Sequence, residues 1–500
     1  MITLEHIDEV VSRGPYAADW ESLTAHRTPE WFKDAKFGIF IHWGVYSVPA
    51  YNNEWYPRNM YIQGSPEFEH HVKTYGPHKD FGYKNFIPLF KAEHFSPEAW
   101  AALFKEAGAK YVVPVAEHHD GFQMYKSELS HWNAFEMGPH RDTTGELHAA
   151  VRADGMSAGV SSHRAEHWFF LSHGRQFDSD IREPIEYGDL YWPSMPEGNH
   201  QDRKSEPAPS KEYLDDWLLR TCELIENYHP RLLYFDWWIQ HNAFKPYLKR
   251  LAAFYYNSAA VWGDEVVLCY KHDAFVFGSA LVDIERGQCA DVKPYAWQTD
   301  TAVALNSWCY TESGRQQLPD GSWQDVKGNR YRPAEDIVRD LVDIVSKNGN
   351  LLLNIGPKAD GTIPGADAAI LKSIGAWLAD NGEAVYGTRP WRYFGEGPTK
   401  VADGYFTDAV PKEFTSEDFR YTQKGQTVYA VAMRPSGTGE YALTHFADSE
   451  APGFNSNVLS VEMLGQNAPA LSWDRDEKAL HIRTAPGEGD MPVAFRIRVE

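Results

Sequence analysis

From about Trp31 to Tyr386 the chain alternates short apolar runs with amphipathic helical segments, and the apolar runs tend to end in polar clusters. Alternation sustained over ~350 residues implies a parallel sheet whose crossovers are helices. That length suits an eight-stranded barrel with long loops. A doubly wound open sheet is the competing arrangement, but no Gly-x-Gly-x-x-Gly follows the first strand. The expectation is an α/β chain, with a (β/α)8-like (TIM) barrel over residues 1–385.

Particular segments carry this reading. Phe37-Gly38-Ile39-Phe40-Ile41 runs into His42-Trp43-Gly44, and Lys110 to Val115 runs into Glu117-His118-His119-Asp120-Gly121. Further strands are expected at Met156 to Ser161, Leu232 to Tyr234, Val266 to Tyr270 and Leu351 to Ile355. Between them, Ser96-Pro97-Glu98 and Ser210 are helix N-cap signals, and Pro333 opens another helix with Ile337, Leu341, Ile344 and Val345 inward. After a last helix at Ala366 to Asp380 the pattern changes to strand-like runs, among them Thr427 to Ala432, Leu459 to Leu464 and Val493 to Val499. Residues 386–500 should therefore form a C-terminal antiparallel β-sandwich domain.

Composition narrows the partners. A formal charge of −22 repels phosphate, which argues against nucleic acid and anionic membranes. No apolar run approaches the ~18 residues of a membrane span. The opening Met1-Ile2-Thr3-Leu4-Glu5-His6 does not read as a signal peptide, and four scattered cysteines without a Cys-x-x-Cys pattern suit free thiols in a reducing compartment. The expected location is cytoplasmic. Aromatics make up 14% of the chain, a supply of ring faces of the kind that sugar sites use.

The chemistry gathers at strand ends. Asp236 closes the run Leu232-Leu233-Tyr234-Phe235 and is followed by Trp237-Trp238. An acid placed there is costly unless hydrogen-bonded or in use. His118, His119, His163, His167, Asp120 and Asp236 are suitable metal ligands, so a metal-dependent barrel hydrolase is one candidate. Spacing argues against it. Adjacent residues on an extended strand face opposite ways, and no His-Glu-x-x-His occurs. Glycoside hydrolysis needs two carboxyl groups instead. Asp236 suits the nucleophile, with Asp273, Glu285 or Asp300 as its partner; neutral His42, His118 and His119 would hold sugar hydroxyls.

Four strings sharpen this choice: Phe37 to Gly44, Asn53-Glu54-Trp55-Tyr56, Glu117-His118-His119-Asp120-Gly121-Phe122, and Asn348 to Pro357. Together and in this order they resemble the α-L-fucosidases of glycoside hydrolase family 29. The resemblance implies an exo-acting, retaining, double-displacement hydrolase of terminal α-L-fucosides with no metal and no cofactor. It implies Asp236 as nucleophile, with His42, His118, His119, Glu54, Trp55 and Trp308 binding fucose. Glu285 stands where some members place the acid/base. Neighbouring indoles (Trp237, Trp238 or Trp308) would raise its pKa by desolvation.

The chain departs from the family's pattern in several places. Lys271 replaces a frequent Arg and supplies charge without a bidentate fork. Ser161-Ser162-His163 replaces Tyr-Ser, so His163 or Arg164 is expected to contact sugar from that strand. Cys309 replaces a Gly, and Trp297-Gln298 replaces Trp-Glu. Loops 59–83 and 177–210 are expected to set linkage preference. A catalytically silent fucose-binding protein is the remaining alternative, and a homo-oligomer is possible in either case.

Overall fold

A computed structural model describes residues 1–199, 202–449, 454–466 and 468–500. Eight parallel strands close a barrel in sequential order: β1 (Phe37–Ile41), β2 (Tyr111–Glu117), β3 (Ser157–Ser162), β4 (Leu232–Phe235), β5 (Val267–Lys271), β6 (Leu281–Asp283), β7 (Trp297–Ala302) and β8 (Gly349–Ile355). Closure pairs β1 with β8 in the register Phe37↔Leu351 through Ile41↔Ile355. Strands buried on both faces explain the apolar stretches within β1, β2, β4 and β8. Gly38 is required by close approach inside the barrel, since a Cβ there would lie 2.4 Å from the Tyr111 ring.

The surrounding helices begin where their caps predict. Ser96 Oγ accepts from Ala99 N at the start of α1 (Pro97–Glu106), and Asp142 caps α2 (Thr143–Ala153). Ser210 caps α3 (Lys211–Tyr228), which leads into β4. The outer ring continues with α4 (Lys245–Trp262), α5 (Ala334–Ser346) and α6 (Gly365–Asn381). Two barrel strands were not legible in the sequence. β6 has three residues, and β7 reads Trp-Gln-Thr-Asp-Thr-Ala, polar yet buried. Its polar side chains turn into the barrel, where Gln298 accepts from Tyr111 and Asp300 meets Tyr234 and Lys271.

Beyond α6 the chain builds two antiparallel sheets. One holds five strands in the order β9 (Arg389–Glu396), β10 (Phe419–Lys424), β11 (Thr427–Ala432), β16 (Val493–Val499) and β13 (Val458–Met463). The other orders β12 (Glu440–Leu443), β15 (Leu480–Arg483) and β14 (Ser472–Arg475). They pack over Trp391, Phe419, Tyr421, Leu443, Phe446, Ile482 and Phe495. This is a β-sandwich behind a TIM barrel. It docks on the barrel through α5 and α6: Trp377 Nε1 donates to Pro492 O, and Arg339 Nε to Met433 O. Among the described residues no helix is long and apolar enough to cross a membrane.

Candidate active site

All ten residues singled out in the sequence lie at the carboxyl ends of the strands or in the loops that follow them, the face on which barrels build their sites. His42 follows β1, and Glu54 and Trp55 lie in the next loop. His118 and His119 follow β2, His163 follows β3 and Asp236 follows β4. Lys271 ends β5, Glu285 lies just beyond β6, and Trp308 sits in the long loop after β7.

Asp236 is the hub. His163 Nδ1 lies 2.9 Å from Asp236 Oδ2 and His119 Nε2 lies 3.4 Å from the same oxygen. A carboxylate only accepts, so His163 Nδ1 carries the proton and its Nε2 accepts from Ser161 Oγ at 3.0 Å. Burial works against ionisation of Asp236. The hydrogen bonds from His163 and His119, with the Lys271 ammonium, nonetheless hold its carboxyl well below the usual range. Asp236 is therefore a fixed carboxylate.

The histidines divide into two kinds. Burial pushes His42 and His118 well below the ordinary imidazole range, so both are neutral. His42 donates through Nδ1 to Asn354 Oδ1 at 2.7 Å, which leaves Nε2 as an acceptor. His118 Nδ1 is buried without a hydrogen-bond partner, a vacancy that a hydroxyl would fill. His119 departs from the expectation of a neutral donor. Burial opposes its charge, but Glu166 at 3.7 Å and Asp236 raise it to about 9. It is an imidazolium wedged between two acids, with Nδ1 on His163 O. Sequence reasoning missed Glu166, whose carboxyl is itself raised to about 8, chiefly by burial.

A second acid cluster surrounds Lys271. Its Nζ lies 3.0 Å from Glu285 Oε2, 3.1 Å from Asp300 Oδ1, 3.5 Å from Asp283 Oδ1 and 4.0 Å from Asp236 Oδ1. Burial disfavours the ammonium, but these acids raise it well above the ordinary lysine range. Burial and the neighbouring Asp300 raise Asp283 well above the ordinary carboxyl range, against the pull of Lys271. Glu285 is raised to about 7, first by burial and then by the charges of Asp236 and Asp300, against the pull of Lys271. Burial thus raises Glu285 as expected, and Trp237 adds an opposing effect: its Nε1 donates a short hydrogen bond to Glu285 Oε2, which favours the carboxylate. Trp308 and Trp238 are engaged elsewhere, against Arg286 and Phe169.

The remaining residues form the wall. Trp308 N donates to Glu54 Oε2 at 3.0 Å, and Asn354 Nδ2 donates to Trp308 O at 2.6 Å. The centres of the Trp308 and His42 rings are 5.2 Å apart, and the Arg286 guanidinium lies over the Trp308 ring, 4.5 Å from its centre. Trp55 meets His119 edge-on at 5.7 Å. Two expected participants are elsewhere. Arg164 is locked into a buried cluster with Glu117, Asp216 and Arg220, and Asp273 pairs with Arg203 and His272. His163 has both nitrogens engaged, one by Asp236 and one by Ser161, which leaves none for the sugar hydroxyl expected of it.

Ligand atoms of His42, His118 and His163, and of His119, His163 and Asp236, lie within 4.8 Å of one another. Either set requires His163, and a metal there would break its bond to Asp236 or to Ser161. The donors fit a hydrogen-bonded carboxylate better than a cation. Loop 59–83 packs beside this face through Tyr83, which donates to Asp120 at 2.6 Å. In loop 177–210, His200 and Gln201 lie outside the described residues.

The chain is similar to known proteins over most of its length. The α-L-fucosidase family profile matches residues 3–383. The chain is 31% identical to human plasma α-L-fucosidase over 467 residues, covering 91% of this chain and 85% of that one. It is 31% identical to human tissue α-L-fucosidase over 484 residues, covering 93% and 87%. Among solved structures, the Thermotoga maritima α-fucosidase in complex with a mechanism-based inhibitor is similar with a TM-score of 0.71 and 31% identity, covering 97% of this chain and 100% of that one. The fold, the assembled strand-end residues and these similarities agree: the chain belongs to the α-L-fucosidase family of glycoside hydrolases.

Proposed function

We propose that this enzyme is an exo-acting, retaining α-L-fucosidase that removes terminal α-L-fucosyl residues from oligosaccharides or glycoconjugates by double displacement. One observation carries the proposal: two carboxyl groups share the Lys271 ammonium, yet Asp236 is held ionised while Glu285 is raised to about 7. Pairs of acids pushed apart in this way mark nucleophile and acid/base. Their common contact with one nitrogen supports the close spacing, about 5–5.5 Å, of the covalent route.

Asp236 attacks the anomeric carbon while neutral Glu285 protonates the departing oxygen. Forming the ester removes the charge of Asp236. That charge is one of the causes raising Glu285, so the Glu285 pKa falls when the intermediate forms. The residue becomes a carboxylate when the next step needs a base to deprotonate water. Neutral His42 and His118, with Glu54, Trp55 and Trp308, are the proposed fucose contacts. His119 and His163 are proposed to orient the nucleophile. The four cysteines are free and buried, which suits the reducing cytoplasm proposed as its location.

The test is hydrolysis of 4-nitrophenyl α-L-fucoside followed by proton NMR, wild type beside Asp236→Ala. The expected result is turnover with the α-anomer of fucose appearing first, reduced more than about 1,000-fold in the variant. First release of the β-anomer would overturn retention. Fucose binding without turnover would point to the silent binder.

A further inference from the structure

The C-terminal domain reaches the proposed acid/base. In the loop between β9 and β10, Phe406 N donates to Glu285 O at 2.9 Å and Asp408 N donates to Arg286 O at 2.8 Å. Gly404 and Gln288 exchange two backbone hydrogen bonds, of 2.8 and 3.1 Å. Tyr405 Oη accepts from His272 N at 2.8 Å. Asp408 also pairs with Arg286, the cation that covers Trp308. The sandwich thus contributes a segment clamped along 285–288.

That clamp presents aromatic faces. The Phe406 ring lies nearly parallel to Trp237, at 14° with centres 6.2 Å apart, and Tyr405 stands 5.3 Å from Trp237. Trp237 is the donor to Glu285 Oε2, so these rings border the carboxyl group of Glu285. Phe406 is 58% exposed and sits at φ 56°, a left-handed conformation that bulky residues rarely take. An exposed phenyl in a disfavoured conformation, pinned by a hydrogen bond to the backbone of the proposed acid/base and set against Trp237, marks a candidate functional position.

We propose that Phe406, with Tyr405 and Trp237 beside it, forms a leaving-group platform supplied by the C-terminal domain, and that it receives the apolar C–H face of a hexopyranose. This rests on the fucosidase reading and on Glu285 as its acid. Phe406 is then a specificity-determining residue: it binds the aglycone and takes no part in proton transfer.

Three substrates separate these contributions in full-length wild type, Phe406→Ala and Phe406→Tyr. α-L-Fucosyl fluoride needs neither proton nor aglycone contact. Methyl α-L-fucoside needs the proton but carries no ring. The better cleaved of fucosyl-galactose and fucosyl-N-acetylglucosamine needs both. The expected result is a fall of about tenfold in kcat/KM for Phe406→Ala on the disaccharide alone, with Phe406→Tyr near wild type. An equal loss on methyl fucoside and disaccharide would overturn the platform and reduce Phe406 to a support for Glu285. No loss on any substrate would overturn it too. Absence of wild-type turnover on the fluoride would overturn the fucosidase reading, and the platform with it.

Discussion

Replacing Trp237 with Phe isolates one hydrogen bond at the proposed acid/base. The phenyl keeps an aromatic face toward Tyr405 and Phe406, and Lys271 stays at 3.0 Å from Glu285. What disappears is the indole N–H, which favours the carboxylate form of Glu285. A hydrogen bond to a charged group is worth about 1.5–3 kcal/mol. At about 1.36 kcal/mol per pKa unit, its loss should raise the Glu285 pKa by about one to two units. In the proposed mechanism the acid form of Glu285 works in the first step, so kcat/KM should fall as pH rises through its pKa, about 7 in the wild type. The descending limb should therefore move to higher pH by about one to two pH units in Trp237→Phe. The assay is a pH profile of kcat/KM on methyl α-L-fucoside, whose poor leaving group depends on the proton. Glu285→Gln, lacking the titrating group, should lose the limb together with most of the rate. A limb that stays in place or moves to lower pH in Trp237→Phe would refute the assignment of Glu285 as the acid and of Trp237 as its tuner.

Two further outcomes follow from buried charge. His119 is raised to about 9 in the folded protein, so its contribution to stability is complete below its unfolded pKa of about 6.5 and is lost as pH rises through about 9. The melting temperature should decline across that window in the wild type and more shallowly in His119→Gln; parallel slopes would contradict the imidazolium. Arg164→Met leaves Glu117 and Asp216 buried with Arg220 as their remaining partner in the cluster. Urea unfolding at pH 7 should show a loss of about 3–5 kcal/mol, and a loss under about 1 kcal/mol would mean that the cluster is solvated or relaxes.

The features legible in the sequence were those whose chemistry is local. Apolar runs marked six barrel strands, and Ser96 and Ser210 marked helix starts. Polar strings marked His42, Glu54, His118 and Asp236. β7 escaped because its inward residues satisfy one another across the barrel, which replaces apolarity with hydrogen bonds. Glu166 escaped for a similar reason. In sequence it resembles any surface acid, and only the fold places it 3.7 Å from His119 and takes it out of water. The charge on His119 could not be read without Glu166. The segment around Phe406 follows no motif, because its meaning comes from pairing with a strand end more than a hundred residues earlier.

The closing seam of the barrel has a consequence for the order of assembly. His42 is held by Ile355 O and by Asn354 Oδ1, partners separated from it by some three hundred residues. Bringing such distant segments together is among the slowest events in folding. The pocket is therefore incomplete in any intermediate that holds β2 to β6 but has not yet joined β8 to β1. In a refolding experiment, recovery of enzymatic turnover should lag behind the return of helical signal, and catalysis becomes a reporter for the final circularisation of the sheet.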